Sequence, residues 1–209
     1  MTKTGWIGTD ESGKGDYFGP LVVAGVYVDE TLLPQLVSLG VKDSKKLSDR
    51  AVLSMDTAIR SICPHSVVTI GPVKYNALYQ KIKNLNRLLA WGHARVIENL
   101  LEKKPCRRVI TDQFGDERLV LNALMKKGQE IKLEQRHKAE DDPAVAAASI
   151  LARAEFLRRL NELSQKIGVT LPKGASSLVE ATAQQLIEKK GIKILEEVAK
   201  LHFKTTSKL

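Results

Sequence analysis

Apolar and polar positions alternate along this chain in two rhythms. Short β-branched and apolar runs, Trp6 to Thr9 and Gly19 to Val28, predict two strands joined across a Gly-rich, acidic turn. His65 to Ile70 and Arg108 to Thr111 read as further strands, and Glu130 to Gln135 alternates in the manner of an exposed edge strand. Helical periodicity covers Asp49 to Ile62, Val73 to Lys83, Leu85 to Lys103, Glu117 to Lys126 and Pro143 to Ile167. The last is the best marked: Asp141 and Asp142 stand where caps belong, Pro143 suits a first turn, and Ala144 to Ala154 is strongly helix-forming. Five strands interleaved with helices predict an α/β sheet covered by helices. After Gly168 the character changes. A Pro/Gly/Ser loop, Leu171 to Ser177, precedes two shorter helices, Leu178 to Lys189 and Ile192 to Leu201, expected as an appendage. The organisation expected is a core over residues 1–167 and a C-terminal helical extension over 168–209 packed on the same domain, with no internal repeat.

Composition narrows the class. With 209 residues, 43% hydrophobic and 27% charged, the chain is neither disordered nor of low complexity. A chain of this length buries roughly 70% of its unfolded surface, enough for one domain without disulfides or structural metal. Cys63 and Cys106 lie far apart and outside any CxxC, which argues against a disulfide scaffold or zinc site and fits a reducing compartment. The N-terminus meets charged sequence at Asp10 without a signal-peptide apolar region, and no apolar run reaches the ~20 residues of a membrane span. A cytoplasmic protein, away from membranes and monomeric by default, is expected. The net charge is +9 and the pI near 9.5. Eight basic residues (Lys81, Lys83, Arg87, Arg95, Lys103, Lys104, Arg107, Arg108) face only Glu98 and Glu102 in one stretch, a local surplus of +6. Such a surplus suits a polyanion; a solvated helix face is the plainer alternative.

The segment Gly8-Thr9-Asp10-Glu11-Ser12-Gly13-Lys14-Gly15 has the GxxxxGK spacing of a phosphate-binding loop. Its chemistry argues otherwise. Gly15 stands where a Ser or Thr should hold Mg²⁺, no helix follows, and Asp10 and Glu11 would place negative charge in the cradle. Two carboxylates at a strand end instead suit a hard divalent cation. Successive strand side chains point to opposite faces, so both acids face one ion only if the chain bends right after Asp10, a bend that Gly13 and Gly15 would permit. An Asp-Glu pair alone is more often a solvated turn. Further acids raise the case: Asp112 ends a predicted strand, and Glu140, Asp141 and Asp142 lie at the mouth of the Ala-rich helix. A turn residue before Gly115 and helix capping are the competing readings for these. If the acids converge, metal-assisted phosphoryl chemistry is the natural hypothesis, with two ions ~4 Å apart on the attacking and leaving oxygens.

These residues carry a resemblance. The run Thr9-Asp10-Glu11-Ser12-Gly13-Lys14-Gly15-Asp16-Tyr17-Phe18-Gly19-Pro20 is similar to the signature of type 2 ribonucleases H, and within them of ribonuclease HIII more than ribonuclease HII, which usually carries an Ala and a Gly-Arg-Gly there. Further matches are Asp43-Ser44-Lys45-Lys46-Leu47, Asn84 to His93, Thr111-Asp112-Gln113-Phe114, Lys138-Ala139-Glu140 with Ala144 to Arg153, Leu171-Pro172-Lys173-Gly174-Ala175 and Lys200-Leu201-His202-Phe203. The resemblance implies a ribonuclease H-like mixed five-stranded sheet flanked by helices. It puts the four catalytic, metal-holding carboxylates on Asp10, Glu11, Asp112 and Glu140; a one-residue shift would put Asp141 in the last place, and Asp142 is the next neighbour. The implied activity is Mg²⁺- or Mn²⁺-dependent cleavage of RNA paired to DNA, through two ions, leaving a 5′-phosphate and a 3′-hydroxyl. It further implies that Ser12, Gly13, Lys14 and Gly15 sense the 2′-hydroxyl and that Ser44, Lys45 and Lys46 meet substrate near the scissile region. Two alternatives stand beside it: cleavage at single ribonucleotides embedded in duplex DNA, as in ribonuclease HII, and a non-catalytic nucleic-acid-binding protein. The resemblance also implies an N-terminal substrate-binding domain, whereas only nine residues precede Asp10, so binding is expected to rest on the basic surface and to depend strongly on salt.

Overall fold

The computed structural model describes residues 5–41, 44, 47–125 and 127–209. Strand β1 (Trp6–Ser12) runs antiparallel to β2 (Leu21–Val28), which pairs antiparallel with β3 (His65–Ile70). On its other side β1 pairs in parallel with β4 (Arg108–Asp112), and β4 in parallel with β5 (Lys132–Arg136). The result is a mixed five-stranded sheet of order β3-β2-β1-β4-β5, with the alternating β5 at an edge as its sequence predicts.

All eight residues of β2 are buried, and their alternation divides two cores. Val22, Ala24, Val26 and Val28 pack with the alanines of α6 (Pro143–Ile167), while Leu21, Val23 and Tyr27 pack against α4 (Leu85–Lys103). The sheet is thus covered on both faces, which explains why β2 is continuously apolar. Residues 168–209 add Val179, Ala183, Leu186, Leu195 and Val198 to the α6 side of this core.

The helices α2 (Asp49–Ile62), α4 and α6 have the boundaries their sequence predicts. Their ends are chemically marked: Ser48, Asn84 and Asp142 accept the free amides of the first turns, and Gly168 ends α6 at φ +71°. Helix α3 (Pro72–Ile82) lies within one residue of its expected bounds, α5 (Glu117–Ala123) ends before the expected Lys126, and α1 (Leu33–Ser38) carries no helical pattern in the sequence. In the extension α7 (Ser177–Lys190) matches its pattern, but α8 (Ile194–Val198) is shorter than Ile192 to Leu201. Ala199 leaves the helix to bridge Phe18.

One difference bears on chemistry. The chain does not bend after Asp10, because Asp10, Glu11 and Ser12 continue the ladder opposite Ala24, Val23 and Val22. The turn begins at Gly13, with φ +87°. No helix among the described residues is long and apolar enough to cross a membrane.

Candidate active site

Parallel pairing of β1 and β4 aligns Thr9 with Thr111, so the next residues, Asp10 and Asp112, stand side by side where the two strands stop pairing with each other. Alternation sorts their directions. Thr9 and Thr111 both reach His93 of α4, with Oγ1 to Nδ1 distances of 2.8 and 3.4 Å, so Asp10 and Asp112 take the opposite, α6 face. There Asp112 Oδ1 accepts the Ala139 amide at 3.4 Å. Ala139 opens a 3₁₀ turn, Ala139–Asp141, that carries the half-buried Glu140. Three segments bearing Asp10, Asp112 and Glu140 therefore meet at one sheet end.

The neighbours of Glu140 have different surroundings. Asp142 caps α6, accepting from Ala144 and Val145 at 2.9 and 3.3 Å, and also accepts the Trp6 indole N–H at 3.0 Å. Arg136 stands 3.7 Å from its other oxygen. Asp142 is thus occupied as a cap, one of the outcomes the sequence left open for the acidic triplet, and Asp141 is exposed.

Glu11 lies on the α4 face because β1 stays extended. Its Oε2 is 3.3 Å from His93 Nε2 and its Oε1 3.6 Å from Lys14 Nζ. Burial pushes the Glu11 carboxyl upward, but the His93 contact and the Lys14 charge outweigh it, and the group sits below the usual carboxylate range. His93 is fully buried and stacks on Phe114 with ring centres 4.7 Å apart, while Lys14 Nζ lies 5.9 Å from the same ring. His93 thus joins Glu11 to the two threonines under the strand ends. Periodicity alone hides it as one polar residue on a buried helix face; the Glu11 partner is visible only once β1 and α4 are stacked.

Among the described residues, no three Asp, Glu, His or Cys side chains are gathered as a metal cluster. Glu11 is turned toward His93 and Lys14, away from the face of Asp10 and Asp112. Asp10, Asp112 and Glu140 nonetheless offer a hard cation oxygen donors from adjoining segments on one face, and Glu11 would join them only by turning its carboxylate away from His93.

The two glycines on either side of Lys14 have different surroundings. A Cβ on Gly13 would come within 2.1 Å of the Pro20 carbonyl oxygen, so this glycine is required by the fold itself. Gly15 is exposed and a Cβ there would meet nothing within 4 Å, which leaves its backbone open to approach. Ser12 is half-buried at the end of β1. Ser44 is buried, its amide 3.4 Å from Ser149 Oγ of α6 and its carbonyl held by Arg153, which also donates to Leu47 O and Asp49. Lys45 and Lys46 lie outside the described residues. All eight basic residues of the Lys81 to Arg108 stretch are exposed, while Glu98 is buried and accepts the Gly128 amide. Arg108 is paired with Glu134 at 3.1 Å; Arg87, Trp91 and Arg95 form an exposed stripe along α4.

A family model described as Ribonuclease HII matches residues 7–206. A protein named Ribonuclease HIII from Protochlamydia amoebophila is 51% identical over 199 residues, covering 95% of this chain and 66% of its own length. One of the same name from Chlamydia trachomatis serovar L2 is 48% identical over 203 residues, covering 95% and 67%. The chain thus spans about two thirds of the curated relatives it matches. Among solved structures, Bst-RNase HIII crystallised with Mn²⁺ superposes with a TM-score of 0.90 at 36% identity, covering all of this chain and 70% of that one. With its mixed sheet, its acid-bearing strand ends and this match over nearly its whole length, the chain belongs to the ribonuclease HII family.

Proposed function

We infer that this chain is the catalytic part of a divalent-metal-dependent endoribonuclease that cleaves the RNA strand of RNA/DNA hybrids to 5′-phosphate and 3′-hydroxyl ends, acting as a cytoplasmic monomer. The observation that carries this reading is the emergence of Asp10 and Asp112 from neighbouring parallel strands on one face, with the turn bearing Glu140 bonded to Asp112. Asp10, Asp112 and Glu140 would hold Mg²⁺ or Mn²⁺, with Glu11 completing the set once its carboxylate turns from His93, and the Mn²⁺ complex of Bst-RNase HIII supports a cation of this kind. Bound there, divalent cations supply the positive charge that a developing oxyanion at the scissile phosphate needs. Glu11 is oriented by His93, and Lys14 brings a phosphate-binding charge beside it. The exposed Gly15 backbone permits close approach to the 2′-hydroxyl, the group that separates RNA from DNA. The basic stripe on α4 suits the duplex backbone, and Ser44, Lys45 and Lys46 would add contacts to the strand near the scissile region. In this reading residues 1–167 are the catalytic core and 168–209 its extension.

The test is cleavage of three labelled substrates with Mg²⁺ or Mn²⁺. An RNA strand paired to DNA should be cut, single-stranded RNA left intact, and a DNA duplex holding one ribonucleotide barely touched. Intact hybrid would overturn the reading; efficient cutting at the lone ribonucleotide would favour the ribonuclease HII-type alternative.

The fourth acid has its own prediction. Glu140→Gln should lower turnover by at least about 100-fold at unchanged stability, the scale of losing an ordered catalytic group. Asp141→Asn should retain near wild-type turnover. Asp142→Asn should also stay active, because Asn caps helices as well as Asp. A loss confined to Asp141→Asn or Asp142→Asn in the same assay would move the role to that aspartate.

A further inference from the structure

Lys200 is the one lysine among the described residues that is completely buried. Burying an ammonium is costly unless it is paired or well hydrogen-bonded. The desolvation shows in its pKa, which burial pushes down to about 7, with Asp16 acting in the opposite sense. No carboxylate lies within ion-pair distance of it among the described residues. Its Nζ instead donates to three consecutive carbonyls, Gly19 O at 2.7 Å and Phe18 O and Pro20 O at 3.4 Å, and sits 5.8 Å from the centre of the Tyr75 ring.

Those carbonyls belong to the turn that joins β1 to β2, and one of them touches the sensing motif. The Pro20 carbonyl is the atom against which Gly13 packs without room for a Cβ. Lys200, Pro20 O and Gly13 Cα thus form a continuous stack from the C-terminal segment to the start of the Gly13-Lys14-Gly15 turn. The same segment grips the turn at other points. Lys200 N donates to Tyr17 O and Gly19 N donates to Val198 O, both at about the length of a sheet bond. The Tyr17 hydroxyl lies 3.2 Å from Thr206 Oγ1. Earlier in the extension, Gly174 N donates to Asp16 Oδ1 at 2.7 Å and Gly174 O accepts from Tyr17 N at 2.9 Å.

We propose that the C-terminal segment 198–206, centred on Lys200, is a positioning element that fixes residues 13–20 in the conformation that receives the RNA strand, and so sets substrate affinity rather than the chemical step. The proposal rests on the functional reading above. Lys200 is 180 to 182 residues along the chain from the carbonyls it holds, touches none of the four acids, and has no bulk solvent to exchange with, so its contribution is to the shape of the turn. Removing it leaves three carbonyls aimed at one point without a donor, and the turn relaxes away from Gly13.

Steady-state cleavage of a labelled RNA strand paired to DNA, measured with Mg²⁺ on the full chain, tests this. Lys200→Met should raise KM about tenfold while kcat stays within about twofold, the pattern of lost binding rather than lost transition-state stabilisation. Lys200→Gln, whose amide still donates to one carbonyl, should fall between. If either lysine variant fails to fold, Tyr17→Phe, which removes only the hydroxyl facing Thr206, must show the same split at about two- to threefold. Amide exchange across residues 13–20 should quicken in each variant that shows it. An unchanged KM in a folded Lys200 variant, or a loss confined to kcat, would overturn the proposal, as would an unchanged KM in Tyr17→Phe where the lysine variants do not fold. A wild-type protein that leaves the hybrid intact would sink the functional reading instead, and unchanged exchange at residues 13–20 in Lys200→Met would then overturn the clamp by itself.

Discussion

Asp10→Asn should reduce cleavage of an RNA/DNA hybrid by about 10³-fold or more, roughly 4 kcal/mol in the barrier, while leaving affinity for the hybrid within about twofold. The substitution keeps size and shape. An Asn Oδ1 can still accept the Glu11 amide that Asp10 accepts at 2.8 Å, so the strand end keeps its local bond. What changes is charge: a carboxylate becomes a neutral amide, and a hard cation is held far less firmly by an amide than by a carboxylate. The contacts expected to hold the duplex, Lys14 and the exposed Arg87 and Arg95, lie on other residues and keep their charge. Turnover with Mg²⁺ and a separate binding titration with Ca²⁺ in place of Mg²⁺ give the two numbers. Residual turnover above about a tenth of wild type would remove Asp10 from the catalytic set.

The sequence makes the strands and long helices legible where local chemistry and packing agree. Helix α6 begins and ends as expected because Asp142, Pro143 and Gly168 each mark a terminus and thirteen of its residues are buried along the sheet. Strand β5 is legible because an edge strand with one solvated face must alternate. The end of β1 is not, since Asp10, Glu11 and Ser12 look like turn residues. Ladder bonds are made by the backbone, and β2 offers partners to these positions whatever their side chains. The consequence reaches the site, because three more extended residues send Glu11 to the α4 face and into contact with His93. Short elements fare worst. The six residues of α1 span too little for a periodicity, and α8 is cut short by a bridge to Phe18 that no local pattern encodes. Among the functional candidates, the acids are legible by type and by resemblance, whereas nothing in the local sequence gives His93 or Lys200 a role. A lysine reads as surface, and only the folded chain shows that its partners are carbonyls from the opposite end of the sequence.

Gly8→Ala should lower stability by about 3 kcal/mol and the melting temperature by roughly 6–12 °C, because it overpacks a junction that cannot yield by rotating a side chain. Gly8 sits in β1 between Trp6 and Asp10 on the face covered by α6. A Cβ there would lie 2.3 Å from the Ala144 carbonyl carbon and the Val145 nitrogen, both main-chain atoms in the first turn of α6. Relief requires that the helix start move away from the strand. That start is pinned to β1 on one side by the bond from Trp6 to Asp142, and it follows directly on the 3₁₀ turn carrying Glu140, which is bonded to Asp112. A displacement of about 1 Å therefore separates Glu140 from Asp10 and Asp112, and misplacement on that scale costs on the order of 100-fold in rate. Activity in Gly8→Ala should accordingly fall further than the lost stability accounts for, even at a temperature where the variant is fully folded. Gly15→Ala supplies the contrast: its Cβ meets nothing within 4 Å, so its melting temperature should stay within about 2 °C of wild type. Equal melting temperatures for Gly8→Ala and wild type would mean that the β1–α6 junction is not the rigid mount for these acids that its geometry implies.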